Sequence, residues 1–400
     1  MGIHIVGVGM GGENTLTAEG KQAMMEADVL IGAERLLAAA TAHTSAVRHA
    51  AIQPADILRV IEQNRGRNIC VLMSGDVGFY SGAKKLIEAL GDHDYALIAG
   101  LSSVQYFAAK LCRPWQAWKL VSAHGKSCDA VTPVRDNAET FFLTGGALTV
   151  QAICRELCAA GFGGCTVTVG ERLGSDDERI IRKTAQDLAQ DETTQLAVML
   201  VENPTPRRLV SCGFADEAFT RGDIPMTKSE VRSVILSKLC LREDDIVYDI
   251  GAGTGSVTVE TALLAKKGHV FAFERAREGC QLIAENAQKM KVTNITVVEG
   301  DVPQTLEGQP VPDAAFIGGS GGNLEEILEL LLARNPKIRL VVSAVALETL
   351  GKATAAFFRL PLADVEVSQI AVSRSRRMGG YHMMIAQNPV YVISGTGSPA

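Results

Sequence analysis

The chain has 400 residues, with 39 Lys plus Arg against 45 Asp plus Glu, a formal net charge of −6. Hydrophobic residues make up 47% and charged residues 21%, which excludes a globally disordered chain and leaves room for two or three domain cores. The acidic balance argues against a general nucleic-acid binder, because no domain-wide basic field exists to collect phosphates. Only 5% of residues are aromatic, and 39 are glycine, a profile of α/β architecture with many tight strand-to-helix turns. No apolar run reaches the ~18 residues needed to span a bilayer. The first residues read as a strand rather than a signal peptide, so a cytoplasmic, membrane-free protein is expected. Nine cysteines without a C-x-x-C pair read as buried reduced thiols, and no metal site is expected.

In chain order, Ile3–Val8 is a strand that enters a glycine turn, Gly7-Val8-Gly9-Met10-Gly11-Gly12. A helix from about Thr17 to Ala27 and a strand Val29–Ile31 follow. Ile69–Met73 is a continuous apolar run, the mark of a strand buried on both faces, and it delivers Ser74-Gly75-Asp76 at its end. Ser81–Leu90 has helical spacing, and Tyr95–Ala99 is a strand running into Gly100-Leu101-Ser102-Ser103. This rhythm predicts βαβ units and a mostly parallel sheet. A second block, from about Trp118, holds strands Phe141–Leu143, Thr166–Val169 and Leu196–Val201, with a helix over Thr149–Ala160. Asn203 to Pro225 carries three prolines and no clear period, and reads as a linker.

A third block begins near Ile224. Ser229–Leu239 is an amphipathic helix. Strands Ile246–Ile250, His269–Phe273, Ile295–Val298, Ala314–Ile317 and Leu340–Ser343 follow, the first three separated by helices over Val257–Ala265 and Gly279–Met290. The turn after the first of these strands reads Asp249-Ile250-Gly251-Ala252-Gly253-Thr254-Gly255. Its G-x-G-x-G spacing differs from the G-x-G-x-x-G that admits a dinucleotide pyrophosphate. It suits S-adenosylmethionine, which has no phosphate. The glycines give close approach to the methionine end, and Asp249 supplies an acid toward its ammonium group. Glu274 ends the next strand, where a carboxylate can accept both ribose hydroxyls. Asp301 follows the third, where it can face the adenine amino group. Three strand ends in order, each with the required group, are a specific signal.

These residues resemble the class I methyltransferases. Ile224-Pro225-Met226-Thr227-Lys228-Ser229-Glu230-Val231-Arg232, with Phe316-Ile317-Gly318-Gly319-Ser320-Gly321-Gly322, resembles the corrin-pathway branch that methylates carbon 15 and decarboxylates an acetate side chain. The resemblance implies cofactor contacts at Thr227 and Val302. It sets Gly318, Gly319, Ser320 and Gly321 facing the substrate, at the C-terminal end of a strand. Ser373-Arg374-Ser375-Arg376-Arg377 suggests Arg374 and Arg376 as partners for substrate carboxylates; a solvated edge-strand charge run is the other reading.

The first glycine turn matches G-x-G-x-x-G literally. Glu13-Asn14-Thr15-Leu16 separates it from the helix, however, and Thr17 is the better N-cap, so a pyrophosphate would not meet the helix N-terminus. With Ser74-Gly75-Asp76-Val77-Gly78-Phe79-Tyr80 and Gly100-Leu101-Ser102-Ser103, the turn resembles the tetrapyrrole methylase family. Gly32-Ala33-Glu34-Arg35-Leu36, Trp115 and Ser122-Ala123-His124-Gly125-Lys126 resemble its carbon-5 corrin member. Met10 stands where a proline is frequent, and so does Val77. The resemblance implies cofactor contacts at Met10, Ser74, Gly75, Asp76, Ser102, Ser103 and Leu143. His124 is a candidate substrate contact, or a core or turn histidine.

Together these resemblances imply an α/β chain made of two fused enzymes. A two-lobed tetrapyrrole methylase fold spans 1–205, with lobes of about 1–116 and 117–205. A linker covers 206–223, and a Rossmann-like class I S-adenosylmethionine methyltransferase domain spans 224–400. They imply one S-adenosylmethionine per domain, a small-molecule tetrapyrrole substrate, no nucleic acid and a homo-oligomer. Two other readings stay open: a C-terminal RNA or protein methyltransferase, and an N-terminal half that only binds ligand.

Overall fold

The computed structural model describes residues 2–40, 44–123, 128–146, 148–191, 196–207 and 212–398. The chain forms two compact units, Met1–Arg207 and Arg208–Ala400.

The first unit opens with β1 (Ile3–Gly7), α1 (Ala18–Met25), β2 (Val29–Gly32), α2 (Glu34–Ala39), β3 (Val47–Ala50), α3 (Pro54–Gln63), β4 (Ile69–Met73), α4 (Ala83–Leu90), β5 (Tyr95–Ile98) and α5 (Ser103–Lys110). The five strands form a parallel sheet in the order β3-β2-β4-β1-β5. Both faces of its centre are buried. Ile3, Ile5, Ile31 and Val71 pack on one side; Val6, Leu30, Cys70 and Leu72 pack on the other. That is why the inner strands read as unbroken apolar runs. The C-terminal ends of β4, β1 and β5 lie side by side, so their three polar loops meet at one edge.

The second lobe contains β6 (Lys119–Ser122), α6 (Val131–Asp136), β7 (Glu139–Leu143), α7 (Val150–Ala159), β8 (Thr166–Glu171), β9 (Arg179–Thr184), α8 (Ala185–Leu188) and β10 (Ala197–Glu202). Its sheet order is β6-β7-β10-β8-β9, with only β6 and β7 parallel. An aromatic cluster of Phe107, Trp118 and Phe141 joins the lobes, with Trp118 stacked on Phe141 at 6.2 Å between ring centres.

The second unit contains α9 (Ser229–Leu239), β11 (Ile246–Ile250), α10 (Ser256–Leu264), β12 (His269–Glu274), α11 (Arg277–Met290), β13 (Ile295–Glu299), β14 (Ala314–Ile317), α12 (Leu324–Arg334), β15 (Arg339–Ala344), α13 (Leu347–Arg359), β16 (Leu362–Ile370), β17 (Ser373–Met378), β18 (Tyr381–Ala386) and β19 (Val390–Gly397). The main sheet runs β13-β12-β11-β14-β15-β19-β16, parallel up to β15; β19 alone runs against the others, pairing antiparallel with β15 on one side and β16 on the other. Alternation along each strand feeds two cores. Tyr248, Ile250, Phe273 and Ile317 face α12 and α13, while Val247, Val270 and Phe316 face α9 and α10. Each fully buried Phe, Leu or Ile contributes about 1.5–3 kcal/mol.

The segment read as a linker carries buried Asp216 and Phe219, packed within the second unit. Hairpin β17–β18 stands apart from the main sheet, with almost every residue exposed. The cysteines depart from the expectation: all nine are free, but only Cys70, Cys154 and Cys165 are buried, and Cys112, Cys212 and Cys240 are exposed. Burial pushes the Cys70 and Cys154 thiols up to about 12.

Candidate functional site

In the second unit, the loops after β11, β12, β13 and β14 enclose a cavity of about 650 Å³. From the expected set it brings together Thr227, Gly251, Gly253, Glu274, Asp301, Val302, Gly318, Gly319, Ser320 and Gly321. Gly251 has φ +72°. A Cβ there would lie 2.6 Å from the Gly319 backbone. The β11 and β14 loops therefore meet backbone to backbone, which only glycine permits.

Glu274, 9% exposed, is held by two backbone donors. Gly253 N–H donates to Oε2 and Ala276 N–H to Oε1, each at 2.8 Å. The carboxylate is thus locked against the glycine turn, with lone pairs left to accept from a ligand. Asp301 is exposed at the cavity edge beyond β13.

Two residues of the motif lie elsewhere. Gly255 does not line the cavity. A Cβ on it would strike Ile283 Cγ1 at 2.9 Å, so this glycine serves the close packing of α10 on α11. Asp249 is 1% exposed and sits behind the turn. Its Oδ2 accepts from the Thr258 hydroxyl at 2.5 Å, and Oδ1 has no protein donor. Burial, together with the Glu274 charge and against the Thr258 hydrogen bond, raises its carboxyl to about 7.

Thr227 is placed by a buried ionic network. Arg232 donates through Nη1 to the Thr227 carbonyl and through Nε to Glu260 at 2.6 Å, and lies over the Phe219 ring at 4.8 Å. Glu260 also accepts from the N–H groups of Gly213 and Phe214.

Arg374 belongs to the same network and does not line the cavity. Its Nε donates to Glu230 Oε1 at 2.9 Å, Nη1 to Asp216 Oδ2 at 3.0 Å and Nη2 to Ser229 Oγ at 2.9 Å. The pairing holds the Glu230 carboxyl down to about 2 and raises the guanidinium further. Most of the guanidinium's donors are thus spent on the chain's own oxygens. Arg376 is exposed on β17, outside the cavity wall.

Sequence reasoning missed part of the wall: Asn323, Ser343, Val345, Val372, Gln387, Asn388 and Val390, besides Lys228 and Arg275. Most of these come from β15 and the segments flanking β17–β18. No local motif marks them, since only tertiary pairing brings them to the strand ends.

In the first unit three glycine loops converge. A Cβ on Gly7 would lie 2.7 Å from Gly100 N and from Gly75 O. Gly9 and Gly75 exchange backbone hydrogen bonds of 3.1 and 2.8 Å. Asp76 braces this edge, accepting from Gly100 N–H at 3.1 Å and Gly78 N–H at 2.9 Å. Ser102 is buried as the N-cap of α5, in a capping box with Gln105, and Ser103 is the first residue of that helix. Ser74 is exposed on the loop, beside half-buried Gly75. Met10 and Leu143 pack on the Phe107–Phe141 cluster. Thr17 caps α1 as expected, accepting from Gly20 N–H. Asp76 and Ser102 therefore shape the loops through backbone partners of their own. His124 lies outside the described residues.

Two family models match the chain: tetrapyrrole (corrin/porphyrin) methylases over residues 2–189, and a precorrin methyltransferase domain over 217–396. A Sinorhizobium protein named precorrin-6Y C(5,15)-methyltransferase (decarboxylating) is 31% identical across 86% of this chain and 84% of its own length. A Pyrobaculum calidifontis protein named probable cobalt-precorrin-6B C(15)-methyltransferase (decarboxylating) is 43% identical over 46% of this chain and 94% of its own. A solved structure described as precorrin-6Y C5,15-methyltransferase from Geobacter metallireducens GS-15 shares 39% identity, with TM-score 0.44, over 46% of this chain and 96% of that one.

Proposed function

The chain belongs to the family of precorrin-6Y C(5,15)-methyltransferases (decarboxylating), and on that premise we propose that each of its two units performs one methylation of the same tetrapyrrole. It is a methyltransferase, and its likeness along both units to a protein named precorrin-6Y C(5,15)-methyltransferase favours this reading over an RNA or protein enzyme with a first half that only binds ligand. The first unit methylates carbon 5. The second methylates carbon 15 and removes the ring-C acetate as carbon dioxide. Each unit holds one S-adenosylmethionine.

The observation that carries this reading is the second-unit cavity, where an amide-locked carboxylate faces a turn with no room for side chains. The residues fit the cofactor on two counts. Gly251 and Gly253 leave backbone exposed at the wall, and Glu274 offers acceptors for a diol. Thr227, Asp301 and Val302 complete that end of the cavity. In the first unit, Met10, Ser74, Gly75, Asp76, Ser102, Ser103 and Leu143 are the proposed contacts.

S-adenosylmethionine, when bound, supplies a methyl group on a sulfonium that departs as a neutral thioether. The chain's own contribution is position and dryness. Gly251, Gly253 and Glu274 fix one partner, and the Gly318–Gly321 loop faces the other. A carbon nucleophile of the reduced macrocycle then needs only to be held in line. Methylation at carbon 15 leaves a conjugated imine system as electron sink. The acetate C–C bond breaks, its electron pair enters that system, and a proton completes the new methyl group. A poorly solvated wall favours loss of charge from the carboxylate.

A homo-oligomer is part of the proposal. Hairpin β17–β18 exposes Met378, Tyr381, Met383, Met384 and Ile385, more apolar surface than one two-stranded ribbon carries in water without a partner. No helix among the described residues is long and apolar enough to cross a membrane, and the proposed location is the cytoplasm.

Incubation with methyl-labelled S-adenosylmethionine and a precorrin-6 substrate tests the reading. The expected product gains two labelled methyl groups and loses one carbon dioxide. A product with a single methyl group, or none, contradicts it.

A further inference from the structure

Among the residues that line the second-unit cavity, Lys228 and Arg275 are the only basic ones. Arg275 follows Glu274 directly at the end of β12. A Cβ built on Gly321 would lie 3.9 Å from its Nη1, so the guanidinium reaches the glycine loop after β14. Lys228 is the N-cap residue of α9, but its side chain takes no part in the cap. Arg232, Arg339 and Arg374 of the same unit are all engaged by carboxylates of the chain. Lys228 and Arg275 are drawn into no side-chain hydrogen bond or ion pair within the described residues. Two acids, the buried Glu274 and the exposed Asp301, share their cavity. A polyanionic ligand would be repelled there unless cations answered it.

The wall also has an uncharged stretch: Phe316, Ser343, Val345, Val372, Gln387 and Val390. The two kinds of surface suit two kinds of carboxylate. One that leaves as neutral carbon dioxide loses its charge in the transition state. A salt bridge to it would stabilise the reactant more than the transition state and would slow the step. A carboxylate that stays is unchanged by the reaction, and an ion pair on it can be used for orientation.

We propose that Lys228 and Arg275 bind the side-chain carboxylates the tetrapyrrole retains, and so direct the acetate that is lost onto the uncharged wall. This rests on the reading of the second unit as the carbon-15 site, and it assigns to Lys228 and Arg275 the role expected of Arg374.

The test uses the full chain with Lys228→Gln, Arg275→Gln and Arg275→Lys. Three quantities are read: KM for the precorrin substrate at the carbon-15 step, moles of carbon dioxide lost per methyl group added at carbon 15, and calorimetric affinity for S-adenosylhomocysteine. Each Gln variant is expected to raise KM about tenfold, the loss of one charge-assisted contact. The Lys variant should fall between Arg275→Gln and wild type. The carbon dioxide to methyl ratio and the nucleoside affinity should stay at wild-type values. Unchanged KM overturns the proposal. So does a methylated product that keeps its acetate, because it would put the cation on the leaving carboxylate. A parallel fall in nucleoside affinity also overturns it, by assigning the side chains to the cofactor or the fold. Wild-type protein that turns over no precorrin substrate would instead refute the underlying reading.

Discussion

Gly253 donates its backbone N–H to Glu274 Oε2 at 2.8 Å, tying the turn after β11 to the end of β12. The contact orients a buried carboxylate without neutralising it. Glu274→Gln keeps the size and one acceptor but loses the charge. Affinity of the second unit for S-adenosylhomocysteine should fall about 10- to 100-fold, the weight of a charge-assisted hydrogen bond. Methylation at carbon 5 should continue. Equal loss at both carbons would count against separate sites.

Gly251 and Gly255 make a matched pair, since both have positive φ, +72° and +75°. Gly251→Ala drives a methyl into the Gly319 backbone at the cavity wall, and should abolish carbon-15 chemistry while the first unit still works. Gly255→Ala drives it into Ile283 between two helices, and should lower the melting temperature of the second unit. Activity assays beside thermal denaturation separate the two effects. Identical behaviour of the two variants would contradict the division.

Arg232 and Glu260 are both fully buried, and their ion pair holds the carbonyl of Thr227. Arg232→Met leaves the Glu260 carboxylate buried without a cation, while Asp216 keeps Arg374. The substitution should destabilise the second unit by about 3–5 kcal/mol. Denaturant unfolding followed domain by domain checks this; a loss near zero would show the network to be dispensable.

Asp249 sets an unusual pH dependence. Its folded-state carboxyl is raised from 3.8 to about 7, so between these values the folded protein binds more protons than the unfolded chain. Its contribution therefore weakens folding as pH rises from about 4 to 7 and is level above that. Asp249→Asn, which keeps an acceptor for Thr258, should raise the melting temperature at pH 8 and change it little at pH 4. Glu230, held down to about 2, acts in the opposite sense and only at lower pH. A variant less stable at pH 8 than at pH 4, relative to wild type, would reverse the sign.

What the sequence shows of the site is what lies at the ends of apolar runs. Glycines and acids stand out there because strands and helices leave few other places for them. Gly251, Glu274 and Asp301 were legible for that reason, and so was Thr17 as a cap. Positions whose partners are distant in sequence were not. Arg374 finds Glu230 from 144 residues away, and no local pattern distinguishes an arginine so engaged from one open to ligand. Asp216 and Phe219 look like linker residues until Arg232 is placed beside them. Gly255 carries the motif spacing of Gly251 and Gly253, yet what it accommodates is Ile283, two elements further on.

The central claim is that each unit holds its own sulfonium nucleoside. Titration of the full chain with S-adenosylhomocysteine in a calorimeter tests it most directly. The account predicts two equivalents bound per chain, reduced to one by Gly251→Ala. One equivalent in the wild type, left unchanged by that substitution, would contradict it.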